Sequence, residues 1–192
     1  MWTVVVVQHG EKVASPGDPG LTPRGVDQAR RTALALQAID SPSRLLSSPL
    51  RRARQTAEVL AQTLGLEVEI DDRLTERMNW DGRISFDDFL NDWHLTSTDR
   101  DYGPAVGDSS REAGRRFLEA LNERCRGEGG LLVAVAHGGV TVDLLRTVAG
   151  DEAVEDGWPT LIHDGVPSCA VTRLSGTADG FQVESAADQS HL

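Results

Sequence analysis

The sequence predicts an α/β fold, a three-layer α/β/α sandwich in which helices flank a mostly parallel sheet. Two apolar runs, Val4–Val7 and Leu131–Ala136, lack polar residues, as expected for strands buried on both faces. Each run leads directly to a histidine and a glycine, at His9-Gly10 and His137-Gly138. Ligands bind at the carboxyl ends of strands in such sheets, so these two turns predict one functional rim.

The first predicted strand is followed by a loop over residues 12–20, which are rich in proline and glycine. Thr22-Pro23 predicts the start of a helix, because threonine is a good N-cap and proline costs nothing at the first helical position. Apolar residues then recur at helical spacing as far as about Ala38.

A second strand, Arg44–Ser47, leads to a helix predicted to begin at Ser48-Pro49. Its first turns carry three arginines, Arg51, Arg52 and Arg54. Basic residues oppose the helix dipole there, so we expect an anion to bind at this helix N-terminus, with one or two of the arginines facing solvent.

The segment Glu67–Ile70 alternates apolar and polar residues and is predicted to form a strand nearer the sheet edge. Residues 78–106 contain one short amphipathic helix, marked by Phe86, Phe89, Leu90 and Trp93. We predict that this segment is an insertion that covers the site and shapes its specificity.

Helices and strands are also predicted in the second half of the chain. Ser109–Glu112 is a capping box that opens a helix to about Cys125. Another helix is predicted over residues 140–148, and two closing strands, Ser168–Leu174 and Gly180–Glu184, fit a hairpin. We find no internal repeat and predict a single domain over residues 1–192.

Composition excludes several kinds of partner. A net charge of −11 argues against binding to nucleic acid or to an anionic membrane. No apolar run approaches the roughly 20 residues that span a bilayer, and no export signal is present, so a cytoplasmic location is expected. The cysteines, Cys125 and Cys169, are expected to be free thiols. No pattern indicates an oligomeric state.

The predicted rim collects four side chains, namely His9, Arg52, Glu76 and His137. The surrounding motifs resemble the histidine phosphatase superfamily, in the branch of phosphoglycerate mutase-like small phosphatases. The resemblance covers nearly the whole chain and rests on residues 8–11, 21–29, 47–58 and 136–140.

A neutral imidazole nitrogen can attack phosphorus, and the resemblance implies that His9 is this nucleophile. It also implies that Arg52 and His137 hold the phosphoryl oxygens and that Glu76 protonates the leaving oxygen. Ser15 lies about where the family often places a phosphate-binding asparagine, while Gly138 lets backbone approach the substrate. Neither a metal nor another cofactor is implied.

One position departs from the family pattern, because the arginine before the nucleophile is Gln8 here. An amide donates a hydrogen bond without a charge, so phosphoryl transfer is expected to slow by about ten- to a hundred-fold. Lys12, Arg51 or Arg77 could supply the missing charge.

The sequence therefore favours a metal-independent phosphomonoesterase that acts on a small phosphorylated metabolite through a phosphohistidine. A mutase is less expected, because the resemblance implies that mutases have a longer insertion and tail. The rival from another class is a domain that has lost catalysis and binds a ligand or partner, which Gln8 motivates. The hypothesis of a metal hydrolase has less support still, since the histidines lack the i, i+4 spacing of a helical metal site.

Overall fold

A computed structural model describes residues 1–39, 41–178 and 180–192. Within these ranges the strands are β1 (Trp2–Gln8), β2 (Arg44–Ser47), β3 (Val68–Ile70), β4 (Gly130–Ala136), β5 (Val171–Thr177) and β6 (Gly180–Asp188). They form one sheet in the order β3-β2-β4-β1-β5-β6. Strands β1 to β4 are parallel, whereas β5 is antiparallel to both β1 and β6. The predicted mostly parallel sheet, the edge position of β3 and the closing hairpin are confirmed.

The helices in the same ranges are α1 (Pro23–Ile39), α2 (Arg51–Leu64), α3 (Phe86–Thr98), α4 (Ser110–Arg124), α5 (Gly138–Ala149), α6 (Asp151–Gly157) and α7 (Leu161–Asp164), with a 3₁₀ turn at Asp72–Leu74. The sequence did not predict α6 and α7, which are short and partly polar. Helix α2 begins later than predicted, because Leu50 is its N-cap and is still extended.

The sheet has a hydrophobic core on each face. Along β1, Val4 and Val6 pack with Phe117 of α4 on one face. Val5 and Val7 pack on the other face, against the alanines of α1 and α2. Successive side chains of a strand point to opposite faces, so an all-valine strand serves both cores, and the predicted three-layer α/β/α sandwich is confirmed.

The pairing of β1 with β4 brings the two histidine turns together. Gln8 is in register with Ala136, and the backbone N–H of His9 donates to the Ala136 carbonyl at 3.1 Å. The loop after β1 then packs tightly on α1: a Cβ atom at Gly25 would lie 2.1 Å from the carbonyl oxygen of Glu11. Glycine at this position therefore holds the histidine loop against the start of the helix.

None of the helices in the described part of the chain is long and apolar enough to cross a membrane.

Candidate active site

His9 follows β1, and its ring is buried at the rim of the sheet. Its Nδ1 lies 2.7 Å from the carbonyl oxygen of Gly10, which places the ring proton on Nδ1. The other nitrogen, Nε2, therefore carries a lone pair. Two donors approach that lone pair, Arg52 Nε at 3.1 Å and the amide Nε2 of Gln8 at 3.3 Å.

Electrostatics keep this histidine neutral. Burial, followed by the positive charge of Arg52, lowers the pKa of His9 to about 3. Burial also lowers the pKa of His137 well below its usual range. The two rings meet edge to face with their centroids 5.1 Å apart. At neutral pH the His9 lone pair is therefore available for attack on an electrophile.

Arg52 is buried in the first turn of α2, and burial lowers its pKa. Its Nη2 donates to Asn79 Oδ1 at 3.2 Å. Its Nη1 has no hydrogen-bond acceptor among the described residues, and it lies 3.9 Å from Asp18 Oδ1. A buried guanidinium with an unused N–H group suits a phosphate oxygen.

The N-terminus of α2, where the sequence predicts a bound anion, already contacts an anionic side chain of the protein itself. The carboxylate of Asp18 already accepts a hydrogen bond from the backbone N–H of Arg51 at 2.7 Å. Arg51 and Arg54 are exposed, so Arg52 alone of the three arginines enters the site. The expectation that one or two of them face solvent is confirmed.

His137 lies beside His9 but is fully buried and does not line the open cleft. Its Nε2 is 2.7 Å from the hydroxyl oxygen of Ser48, while its Nδ1 has no partner among the described residues. Ser48 contacts a site residue, whereas the sequence predicted it only as part of a helix start. Its position directly after β2, at the same rim, is the signal that could have identified it.

Glu76 lies after the 3₁₀ turn and binds the N-terminus of α5. Its Oε1 accepts the backbone N–H groups of Val140 and Arg77 at 2.7 and 2.9 Å, and its Oε2 accepts that of Gly139 at 3.0 Å. A carboxyl group offers about four lone-pair positions, so one position on Oε2 stays free. The turn that delivers His137 thus also orients Glu76.

These residues surround a cleft of about 580 Å³. Gln8, His9, Arg52 and Glu76 line it, as do Ser15 and Gly138. Ser15 is exposed, and its hydroxyl contacts only the neighbouring Pro16 carbonyl, at 3.4 Å, among the hydrogen bonds of the described chain. Side chains from the segment 78–93 complete the lining, and Asn79 of this segment accepts a hydrogen bond from Arg52.

Arg77 does not supply charge to this cleft. It is buried and paired with Asp143 of α5 at 2.9 Å, and it donates to Ser97 Oγ of α3 at 2.7 Å. Its guanidinium also stacks 4.2 Å from the Trp93 ring centroid. Arg51 is exposed, so Lys12, which lines the cleft, is the remaining cation among those expected to stand in for a charge at Gln8.

We predict that the buried neutral histidines reduce stability in acid. Below pH 6.5 an unfolded histidine takes up a proton that folded His9 does not bind until about pH 3. The free energy of unfolding therefore falls as pH drops through that window, by up to about 1.4 kcal/mol per pH unit for each histidine.

Urea titrations measure this free energy, and its pH dependence should be shallower for His9→Asn than for wild type. The exposed His163→Asn variant is the control, and equal slopes for wild type and His9→Asn would contradict the prediction.

Comparisons with known proteins identify the family. The model of the "Histidine phosphatase superfamily (branch 1)" matches residues 4–189. A "Probable phosphoglycerate mutase GpmB" from Photorhabdus laumondii is 29% identical over 207 aligned positions, which span 100% of this chain and 95% of the relative.

Two solved structures share the fold. A mycobacterial glucosyl-3-phosphoglycerate phosphatase in complex with inorganic phosphate superposes with a TM-score of 0.79 at 24% identity, covering 100% of both chains. YhfR of Bacillus stearothermophilus superposes with a TM-score of 0.77 at 26% identity, covering 100% of this chain and 99% of that one. With the family model matching nearly its full length, this chain belongs to branch 1 of the histidine phosphatase superfamily.

Proposed function

We propose that this protein is a metal-independent phosphomonoesterase that cleaves a small phosphorylated metabolite through a phosphohistidine on His9. The observation that carries the proposal is the neutral His9 ring, whose Nδ1 proton is held by Gly10 and whose Nε2 lone pair faces Arg52 and Gln8. The nucleophile is then a side chain of the protein itself, so no metal-bound hydroxide is needed.

In the first step His9 Nε2 attacks phosphorus, and the bond from phosphorus to the ester oxygen breaks. The N–H groups of Arg52 and Gln8 surround the attacking nitrogen, where the phosphoryl oxygens would lie after transfer. Preorganised donors of this kind stabilise the charge of the transition state. His137 would join them by exchanging its Ser48 partner for a phosphoryl oxygen.

Glu76 is the proposed proton donor to the leaving oxygen, through the lone-pair position on Oε2 that no backbone N–H occupies. In the second step a water molecule attacks phosphorus and the bond from phosphorus to His9 breaks. Glu76, now without its proton, accepts one from that water, so inorganic phosphate leaves and both groups return to their starting states.

The comparisons support phosphoryl chemistry without choosing between hydrolysis and isomerisation. The chain spans 95% of a relative named as a probable mutase, so its short length does not argue against a mutase. A solved relative of the same fold is a phosphatase with bound phosphate. We favour hydrolysis because the side chains of Phe86 and Leu90, which line the cleft, are about half exposed, so water reaches the cleft.

We expect phosphate release from p-nitrophenyl phosphate to persist in excess EDTA and to fall by at least about a thousand-fold in His9→Ala. The control His163→Ala removes an exposed histidine and should keep wild-type activity. Parallel ³¹P spectra with 3-phosphoglycerate would report any isomerisation. Activity that EDTA abolishes, or that survives in His9→Ala, would rule out the proposed route.

The second candidate is a domain that binds a ligand or partner without catalysis, and Gln8 is the observation that favours it. The amide brings no charge to the phosphoryl position, and its Oε1 is buried without a partner among the described residues.

Replacing Gln8 separates the two candidates. If Gln8 contacts the phosphoryl group, Gln8→Arg should raise kcat/KM by about ten- to a hundred-fold, because a charged bidentate donor replaces a neutral one. Gln8→Met, which has a similar size but no N–H group, should lower kcat/KM. If the wild-type protein has no phosphatase activity while Gln8→Arg is active, the result would favour a binding domain. Equal activity in all three proteins would show that this position does not contact the phosphoryl group.

A further inference from the structure

One wall of the cleft is a continuous series of aromatic rings. Neighbouring ring centroids lie 4.9 Å apart for Trp80 and Phe86, 6.3 Å for Phe86 and Phe89, and 6.2 Å for Phe89 and Trp93. Leu90 lines the same side. Phe86 is 50% exposed and Leu90 is 47% exposed, so apolar surface faces the open cleft. Aromatic side chains in such positions gain free energy when an apolar group covers them.

This aromatic wall begins beside Glu76. A Cβ atom built on Gly139 would lie 2.6 Å from Trp93 Cη2 and 2.7 Å from Glu76 Oε1, so both side chains contact the same glycine. Glu76 is the proposed donor to the leaving oxygen. The part of the substrate attached to that oxygen therefore lies beside Trp93 and the rings that continue from it.

Both cations that line the cleft act on His9. Among the described residues that line it, Lys12 and Arg52 are cationic, while Glu11, Glu76 and Asp164 are anionic. Arg52 donates to His9 directly, and the charge of Lys12 contributes to the lowered pKa of His9. Both positive charges thus serve the phosphoryl group. Arg77 stacks on Trp93, but it is buried, paired with Asp143 and not among the described residues that line the cleft.

From this division we infer that the protein prefers phosphate monoesters of apolar or aromatic alcohols over esters whose alcohol carries a carboxylate or several hydroxyl groups. The inference rests on the proposed phosphatase function and names its substrate class. A carboxylate in the leaving group would lie against aromatic rings and near anionic side chains, without a cation to pair with. An apolar group would instead cover the half-exposed Phe86 and Leu90.

The test compares phosphate esters of primary alcohols, because similar leaving groups separate recognition from intrinsic reactivity. The series is 3-phenylpropyl phosphate, glycerol 3-phosphate, 3-phosphoglycerate and phosphoserine. Burial of the phenyl ring should raise kcat/KM for 3-phenylpropyl phosphate by about 10- to 100-fold over the other three. Equal or higher kcat/KM for the polar esters would overturn the inference while leaving the proposed function intact.

Variants of the wall assign the preference to these residues. Phe86→Ala should raise KM for 3-phenylpropyl phosphate by about 3- to 10-fold and leave glycerol 3-phosphate unchanged. Leu34→Ala, which truncates an exposed leucine of α1 outside the cleft, is the matched control. Loss of activity on both esters would indicate a structural role for Phe86 and overturn its assignment to the wall. If no ester is hydrolysed in a His9-dependent way, the proposed function fails and the inference fails with it.

Discussion

The neutral ring of His9 is the feature on which the rest of the site depends. A hydrogen bond to the Gly10 carbonyl fixes the proton on Nδ1, and burial, followed by the charge of Arg52, opposes a second proton on Nε2. The guanidinium of Arg52, which adds to the effect of burial, has an unused N–H group. Burying such a charge is costly, and a bound phosphoryl group would offset that cost by supplying the opposite charge. The contact between Arg52 and His9 therefore joins the nucleophile to the place where a phosphoryl anion would bind.

The fold provides this contact through the parallel pairing of β1 with β4. Each strand ends at the same level, so His9 and His137 meet edge to face, and the turn after β4 becomes the first turn of α5. The backbone N–H groups of Gly139 and Val140 then bind Glu76. A single strand-to-helix turn therefore places one histidine and orients the proposed proton donor. A side chain at Gly139 would collide with Glu76, which explains the glycine at this position.

Much of the framework could be predicted because its signals are local. The apolar runs of β1 and β4 and the capping box of α4 are encoded within a few residues, and the structure contains all of them. The contacts of Arg52 with His9, of Asp18 with the N-terminus of α2, and of Ser48 with His137 join distant parts of the chain. Sequence spacing alone did not show that Asp18 already satisfies the helix end. It also could not tell which of three neighbouring arginines faces inward.

The claim that His9 carries the phosphoryl group is tested most directly by trapping the phosphoenzyme. The enzyme is mixed with ³²P-labelled 3-phenylpropyl phosphate, and samples are quenched in alkali at times within the first turnover. Phosphohistidine survives in alkali. The labelled peptide is then identified by mass spectrometry. We expect label on the peptide that contains His9, and we expect this label to disappear when unlabelled substrate is added in excess. Label on His137 or on another residue, or steady turnover with no labelled protein at any of these times, would contradict it.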